Sequence, residues 1–368
     1  MHVVVCGGGV IGACTAYFLA RRGVDATIVE RTEVAAVASG KAGGFIALDW
    51  CSGSPLDALA RRSFALHTSL DAEIGDEWGF QNTNAYSGVV ALERNKSRHT
   101  GAKLDWLSDR VSITSQLGTN KTTAVVNPRS FTLAMMRAAQ ERGATLRLGE
   151  VTGIVHRAQG AILEGVQVGR DFIAADAVVI AMGPWSLLAA EWVRLPAVVG
   201  QRSPSLVYDT GKEVAADALF LECDEEGGGA VTVEVFPRGD GTTHVCAFSD
   251  QASLPTDPAD VTPDADVIER LETICERLSP AFRAEKIIAR QACFRPLIRD
   301  GLPLIGKVPH SEGAFVATGH NVWGILNGPA TGEAMAELVS EGMTETIDLA
   351  PFDPGRLRPL DSALIRSA

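Results

Sequence analysis

The residues that most plainly could do chemistry stand at the start of the chain. Gly7-x-Gly9-x-x-Gly12 follows the apolar run His2–Cys6 and precedes a helical pattern over Ala13–Arg22 that Gly23 closes. In such a turn the first glycine permits the tight bend. The second lets backbone approach a diphosphate, and the third lets helix and strand pack closely. Val10 and Ile11, inside the turn, would then offer backbone amides to the phosphates at the positive end of the helix dipole. Glu30 lies 18 residues beyond Gly12, at the end of a second apolar strand, Ala26–Glu30. A carboxylate there accepts hydrogen bonds from ribose hydroxyls and repels a 2′-phosphate. A dinucleotide site is the reading that accounts for strand, turn, helix and acid together. The competing reading is a glycine-rich packing turn.

Other chemistries lack their motifs. No GxSxG or HExxH occurs, and the seven cysteines are scattered without a CxxC pair. Reduced thiols and a cytoplasmic location are expected, with no metal site. The balance of 33 Lys plus Arg against 45 Asp plus Glu gives a net charge of −12, which argues against a nucleic-acid partner. No apolar run reaches the roughly 20 residues of a membrane span. The apolar start, Val3–Leu19, lacks the basic leader of a signal peptide, and the closing Arg366-Ser367-Ala368 is no obvious targeting tripeptide. The oligomeric state is left open.

The elements that must position these residues change character along the chain. The opening βαβ unit leads into a small-residue loop, Ala38–Gly44, then a helix over Pro55–Glu73. Strand-and-turn pattern fills Trp78–Asn127, and a helix over Arg129–Arg142 ends at Gly143. Strands follow over Ala144–Val155, Ile162–Val168 and Ala177–Ala181. Antiparallel-looking strands occupy Ser205–Asp209, Ala218–Glu222 and Val231–Ser249, the last folded at Gly239-Asp240-Gly241. After a helix over Asp264–Leu278 the α/β style returns, with a strand at Ala314–Ala317 and a helix from about Pro329 to Glu341. The expected class is α/β, α+β overall. A Rossmann-type dinucleotide domain would be built from residues 1–75, 126–192 and 301–368, and a mostly antiparallel substrate domain from 76–125 and 193–300. The spacing alone does not choose FAD over NAD. Contiguous βαβ units suit NAD, whereas α/β pieces far apart in sequence suit a longer cofactor and lean toward FAD.

Several blocks then resemble one family. The start Val3-Val4-Val5-Cys6-Gly7-Gly8-Gly9-Val10-Ile11-Gly12 with Glu30 resembles the D-amino-acid oxidase superfamily of flavoenzymes. Ala38-Ser39-Gly40-Lys41-Ala42-Gly43-Gly44 is similar to that family's second cofactor loop, and Ala181-Met182-Gly183-Pro184-Trp185-Ser186 to its flavin-contacting strand end. Phe294-Arg295-Pro296 with Asp300–Gly306 is similar to the signature before the last strand. Gly319–Ile325 and Gly328–Gly332 are similar to the closing flavin loop. Glycine, sarcosine and iminodiacetate oxidases are the branch it resembles most.

The resemblance implies FAD held without a covalent link and a small anionic amino or imino acid as substrate. It implies C–N oxidation by hydride transfer, hydrolysis of the imine, and O₂ reduced to H₂O₂. It places cofactor contacts at the glycine turn, Glu30 and Arg31, at Ser39–Gly44, at Val151, Gly183 and Trp185, and at Gly319 and Asn321–Leu326. The backbone of Ile325 and Leu326 would face the flavin pyrimidine edge. Arg295 is the implied carboxylate ligand, against an internal ion pair; its planar fork suits a carboxylate, and it is also counted near the cofactor. Lys41 would touch the cofactor or a second substrate carboxylate, as iminodiacetate carries, against a solvated loop lysine. His320 and Trp323 complete the expected catalytic group, with a loop-bonded ring the even alternative for His320. Cys293 stands near the place where sarcosine oxidases attach flavin, and a small buried residue is the reading preferred. Arg202, Tyr208 and Arg299 are further pocket candidates. Two alternatives stay open: a dehydrogenase passing electrons to a quinone or protein, and a non-catalytic flavoprotein serving assembly.

Overall fold

The computed structural model describes residues 1–75, 78–93, 102–157, 162–225 and 227–365, so the closing tripeptide lies outside it. Strand His2–Cys6 sits at the centre of a six-stranded sheet, parallel to Asp25–Glu30 on one side and Ala177–Ile180 on the other. Thr145–Leu148 and Ala314–Thr318 extend it in parallel, and Leu304–Lys307 closes one edge antiparallel. The continuous apolar run at the start follows from this place, because a strand covered on both faces has no polar side. Val3 and Val5 enter the core beneath the helices, whereas Val4 and Cys6 enter a second core on the opposite face.

Helices Val10–Arg21, Pro128–Glu141 and Gly324–Glu341 share the first of these cores. A three-stranded antiparallel sheet, Val151–His156, Leu163–Val168 and Asp171–Ala174, covers the other face. The second large sheet has seven strands in the order 287–297, 199–209, 242–246, 230–237, 217–224, 84–90, 111–118. All its neighbours are antiparallel except Asp217–Asp224 with Asn84–Val90. Helix Ala265–Leu278 packs on one face of it, and the other face turns toward the loops at residues 38–44 and 319–325. Among the described residues no helix is long and apolar enough to cross a membrane.

Three local expectations are corrected. The first helix starts at Val10, not Ala13, since the turn is confined to Gly7, Gly8 and Gly9 and Gly12 is already helical. The small-residue loop contains one helical turn, Ala38–Lys41. The last long helix starts at Gly324, with Pro329 inside it. Proline removes the amide that would bond the carbonyl four residues back, here Ile325. His67 replaces that bond: its Nε2 lies 2.9 Å from Ile325 O and 3.2 Å from Leu326 O. Ser63 Oγ accepts the Ala330 amide at 3.1 Å. Helix Asp57–Ile74 therefore supplies the polar groups that let the last helix run through a proline.

Candidate active site

The glycine turn is a cradle that side chains cannot enter. Gly7 has φ of +111°, and a Cβ on Gly12 would lie 1.9 Å from Gly7 O. Glu30 Oε2 accepts the Gly8 amide at 2.7 Å and Oε1 the Thr32 amide at 2.9 Å, which fixes the carboxylate beside the turn. Ser39 Oγ accepts the Val10 amide at 2.9 Å and so ties the second loop to the first. Gly40 serves that approach, because a Cβ there would stand 2.0 Å from Ala35 O.

Two cavities meet at this junction and share Gly9, Ala38, Ser39, Ala181 and Gly183 in their walls. The smaller, about 130 Å³, is also lined by Gly7, Glu30, Arg31, Val151 and Trp185. Arg31 is held there by Glu150 and Asp257, and the Trp185 indole donates to Pro255 O at 2.8 Å. The larger, about 260 Å³, lies between the second loop, the closing loop and the open face of the seven-stranded sheet. Val10, Ile11, Lys41, Ala42, Gly43 and Gly44 line it from one side. Gly319, His320, Asn321, Val322, Trp323, Gly324 and Ile325 line it from another. One crevice thus runs past the glycine turn, with the fixed Glu30 carboxylate at one end and a wide chamber at the other. Gly12, Gly40 and Leu326 are not in its walls. The two glycines permit close packing, and the Leu326 side chain belongs to the core.

Arg295, on strand Ile287–Leu297, enters the chamber and donates from Nη2 to Ser203 Oγ at 3.0 Å. No carboxylate pairs with it among the described residues, so the alternative of an internal ion pair is not found there. Lys41 also lines the chamber, and burial pulls its pKa below the usual lysine value. Its carbonyl is held by His244 at 3.1 Å and Gln291 at 3.3 Å. Arg238, buried, donates to Ala42 O and Gly43 O, which fastens the second loop to the sheet. His320 combines both expectations: its Nε2 meets Thr331 Oγ1 at 3.0 Å, yet it faces the chamber. Burial depresses its pKa to about 3, so it is neutral. Trp323 and Trp50 meet edge-on across the rim at 6.4 Å.

Other candidates fall elsewhere. Arg202 pairs with Asp250 and Asp264, Tyr208 is core, and Arg299 is absent from the chamber wall. Sequence reasoning missed Ser203, Ser205, Phe220, Glu234, Phe236, His244 and Cys246, which form the sheet-side wall. Alternation was the available signal. In Val231–Phe236 the valines point to the core, which leaves Glu234 and Phe236 on the other face.

A mostly parallel sheet, a glycine cradle with a fixed acid and a two-chambered crevice define a dinucleotide-dependent redox protein. The comparisons with known proteins narrow the class. The chain belongs to the family described as FAD dependent oxidoreductase, whose profile matches residues 2–338. It is 31% identical to a glycine oxidase of Pseudomonas aeruginosa over 380 residues, covering 97% of this chain and 99% of that one. The crystal structure of glycine oxidase from Geobacillus kaustophilus superposes with a TM-score of 0.77 at 26% identity, covering 96% and 98% of the two chains. Iminodiacetate oxidase from Chelativorans shares the fold, with a TM-score of 0.76 at 21% identity over 96% and 98% of the chains. The protein is thus an FAD-dependent amine or amino-acid oxidoreductase. Its cradle, fixed acid and long crevice fit that cofactor.

Proposed function

We propose that the protein oxidises the C–N bond of a small amino or imino acid of the N-substituted glycine type, with O₂ as electron acceptor. Bound FAD supplies the two-electron oxidant. Arg295 holds the substrate carboxylate, and the single observation that carries this reading is its guanidinium, open to the chamber with the Ser203 hydroxyl as its hydrogen-bond partner among the described residues. Anchoring the carboxylate restricts where the α-carbon can sit. Trp323, Trp50 and Phe236 supply apolar walls that limit water access, and the neutral His320 adds no charge to the chamber. The imine product is hydrolysed by water and O₂ is reduced to H₂O₂. Lys41 gives a second cation, which supports a dicarboxylate such as iminodiacetate as a second reading.

We infer that FAD is not covalently linked. Cys293 lines the chamber, but burial raises its thiol pKa despite the opposing pull of Arg295 and Lys41, so little reactive thiolate forms. The discontinuous cofactor segments and the inserted sheet are proposed as two domains with the boundaries given above. H₂O₂ production from glycine, sarcosine and iminodiacetate under air tests the activity. Arg295→Lys, which loses the bidentate fork, is expected to raise KM at least tenfold, about 1.4 kcal/mol. An unchanged KM removes Arg295 from the role.

A further inference from the structure

One row of side chains crosses the sheet beneath the chamber. Phe220 stands opposite Glu234, Glu234 opposite Cys246, Cys246 opposite Ser205, and Ser205 opposite Gln291. Arg295 lies on the Gln291 strand, four residues further on the same face, and its tip reaches Ser203. A basic and an acidic side chain thus approach one chamber from strands that are not neighbours. Glu234 is half-buried, and its carboxylate accepts from Cys246 Sγ at 3.3 Å. Among the described residues neither Glu234 nor Arg295 has an ion-pair partner, although both face the same cavity. A carboxylate so placed is costly unless a cation arrives to meet it.

The register makes the two groups neighbours. Ser205 faces Cys246, so Ser203, which marks the guanidinium, is the diagonal neighbour of Cys246, which marks the carboxylate. Diagonal neighbours in an antiparallel pair lie about 7–8 Å apart along the backbone, within reach of long side chains, so the guanidinium and the carboxylate can serve one small ligand.

We propose that Glu234 is the amine-recognising residue of this site: it binds the N–H groups of a primary or secondary ammonium while Arg295 binds the carboxylate. The pocket thereby selects amino acids over hydroxy acids of the same size, since a hydroxyl brings no charge to Glu234. This rests on the substrate reading above and gives it a specificity determinant. The thiol of Cys246 shields one side of the carboxylate and leaves the other for the ligand.

The test uses the FAD-loaded protein and titration calorimetry under anaerobic conditions with glycine, sarcosine and glycolate. Glycine and sarcosine are expected to bind more tightly than glycolate. Glu234→Gln should weaken both amino acids at least about tenfold and leave glycolate unchanged or tighter. Glu234→Asp, a shorter carboxylate, should recover part of the loss. Thermal unfolding checks that both variants fold. Equal effects on glycine and glycolate, no effect on either, or no binding of any of the three by the unaltered protein overturns the proposal. Should glycine bind in a Glu234-dependent way without reducing the flavin, the oxidation reading fails and the recognition role stands.

Discussion

His67 is the residue whose replacement reports most directly on how the closing loop is held. Pro329 strips the Ile325 carbonyl of its helical partner, and the buried imidazole Nε2–H supplies the substitute at 2.9 Å. Burial pulls the His67 pKa down to about 4, so at neutral pH the ring is a neutral donor. His67→Phe keeps the ring and its 4.7 Å contact with Phe131 but removes the donor. A buried carbonyl left without a partner costs about 1–3 kcal/mol. At about 2 °C per kcal/mol for a chain of this size, the unfolding midpoint should fall by roughly 2–6 °C. Ile325 lines the cofactor chamber, so the variant should also release FAD more readily during gel filtration. His67→Gln, which can still donate, should recover part of both losses. If His67→Phe unfolds at the temperature of the unaltered protein with full flavin content, the proline-compensation argument is wrong.

The remaining predictions concern charge, space and the thiol. His67 and His320 have folded pKa values depressed to about 4 and about 3, and His244 is also held well below its ordinary value of 6.5, chiefly by burial. A depressed histidine stabilises the fold fully above about pH 6.5, and that contribution fades as pH falls toward 4 because the unfolded chain takes up the proton. Each such residue adds about 1.4 kcal/mol per pH unit to the acid slope, so stability should drop between pH 6.5 and 4.5, and His320→Gln should flatten the curve. A flat profile across that window refutes the burial argument. Gly43→Ala sets a Cβ 2.2 Å from the Phe236 ring, and the overpacking should cost about 1–3 kcal/mol in thermal or denaturant unfolding. Denaturation should release all yellow colour from the polypeptide; colour retained on the chain would establish a covalent bond and contradict the reading of Cys293.

Local pattern marked the glycine turn and its acid, whereas the loop Ala38–Gly44 was singled out through family resemblance. The turn Gly7–Gly12, the acid at Glu30 and the loop Ala38–Gly44 each occupy a short stretch of sequence. The sheet-side wall of the chamber was harder to read. It is one face of a sheet whose strands come from 84–118 and 199–297, and only the register brings Glu234, Cys246 and Ser205 into one row. Arg295 was found through its Arg-Pro context, not through a local pattern. The start of the last helix was misplaced because proline in sequence suits the first turn of a helix better than its interior, and its compensation by His67 and Ser63 lies more than 250 residues away. Arg202 looked free as a sequence candidate but is neutralised by Asp250 and Asp264, which no spacing rule connects.

The central claim is that the chamber beside the glycine turn brings a small amino acid, anchored by Arg295, against FAD. Anaerobic titration of the purified yellow protein with glycine, sarcosine and iminodiacetate, followed by visible absorption, tests it directly. The account predicts that at least one of the three bleaches the flavin fully, and that Arg295→Lys shifts the half-bleaching concentration upward. A spectrum unmoved by all three compounds, in protein that carries stoichiometric FAD, contradicts it.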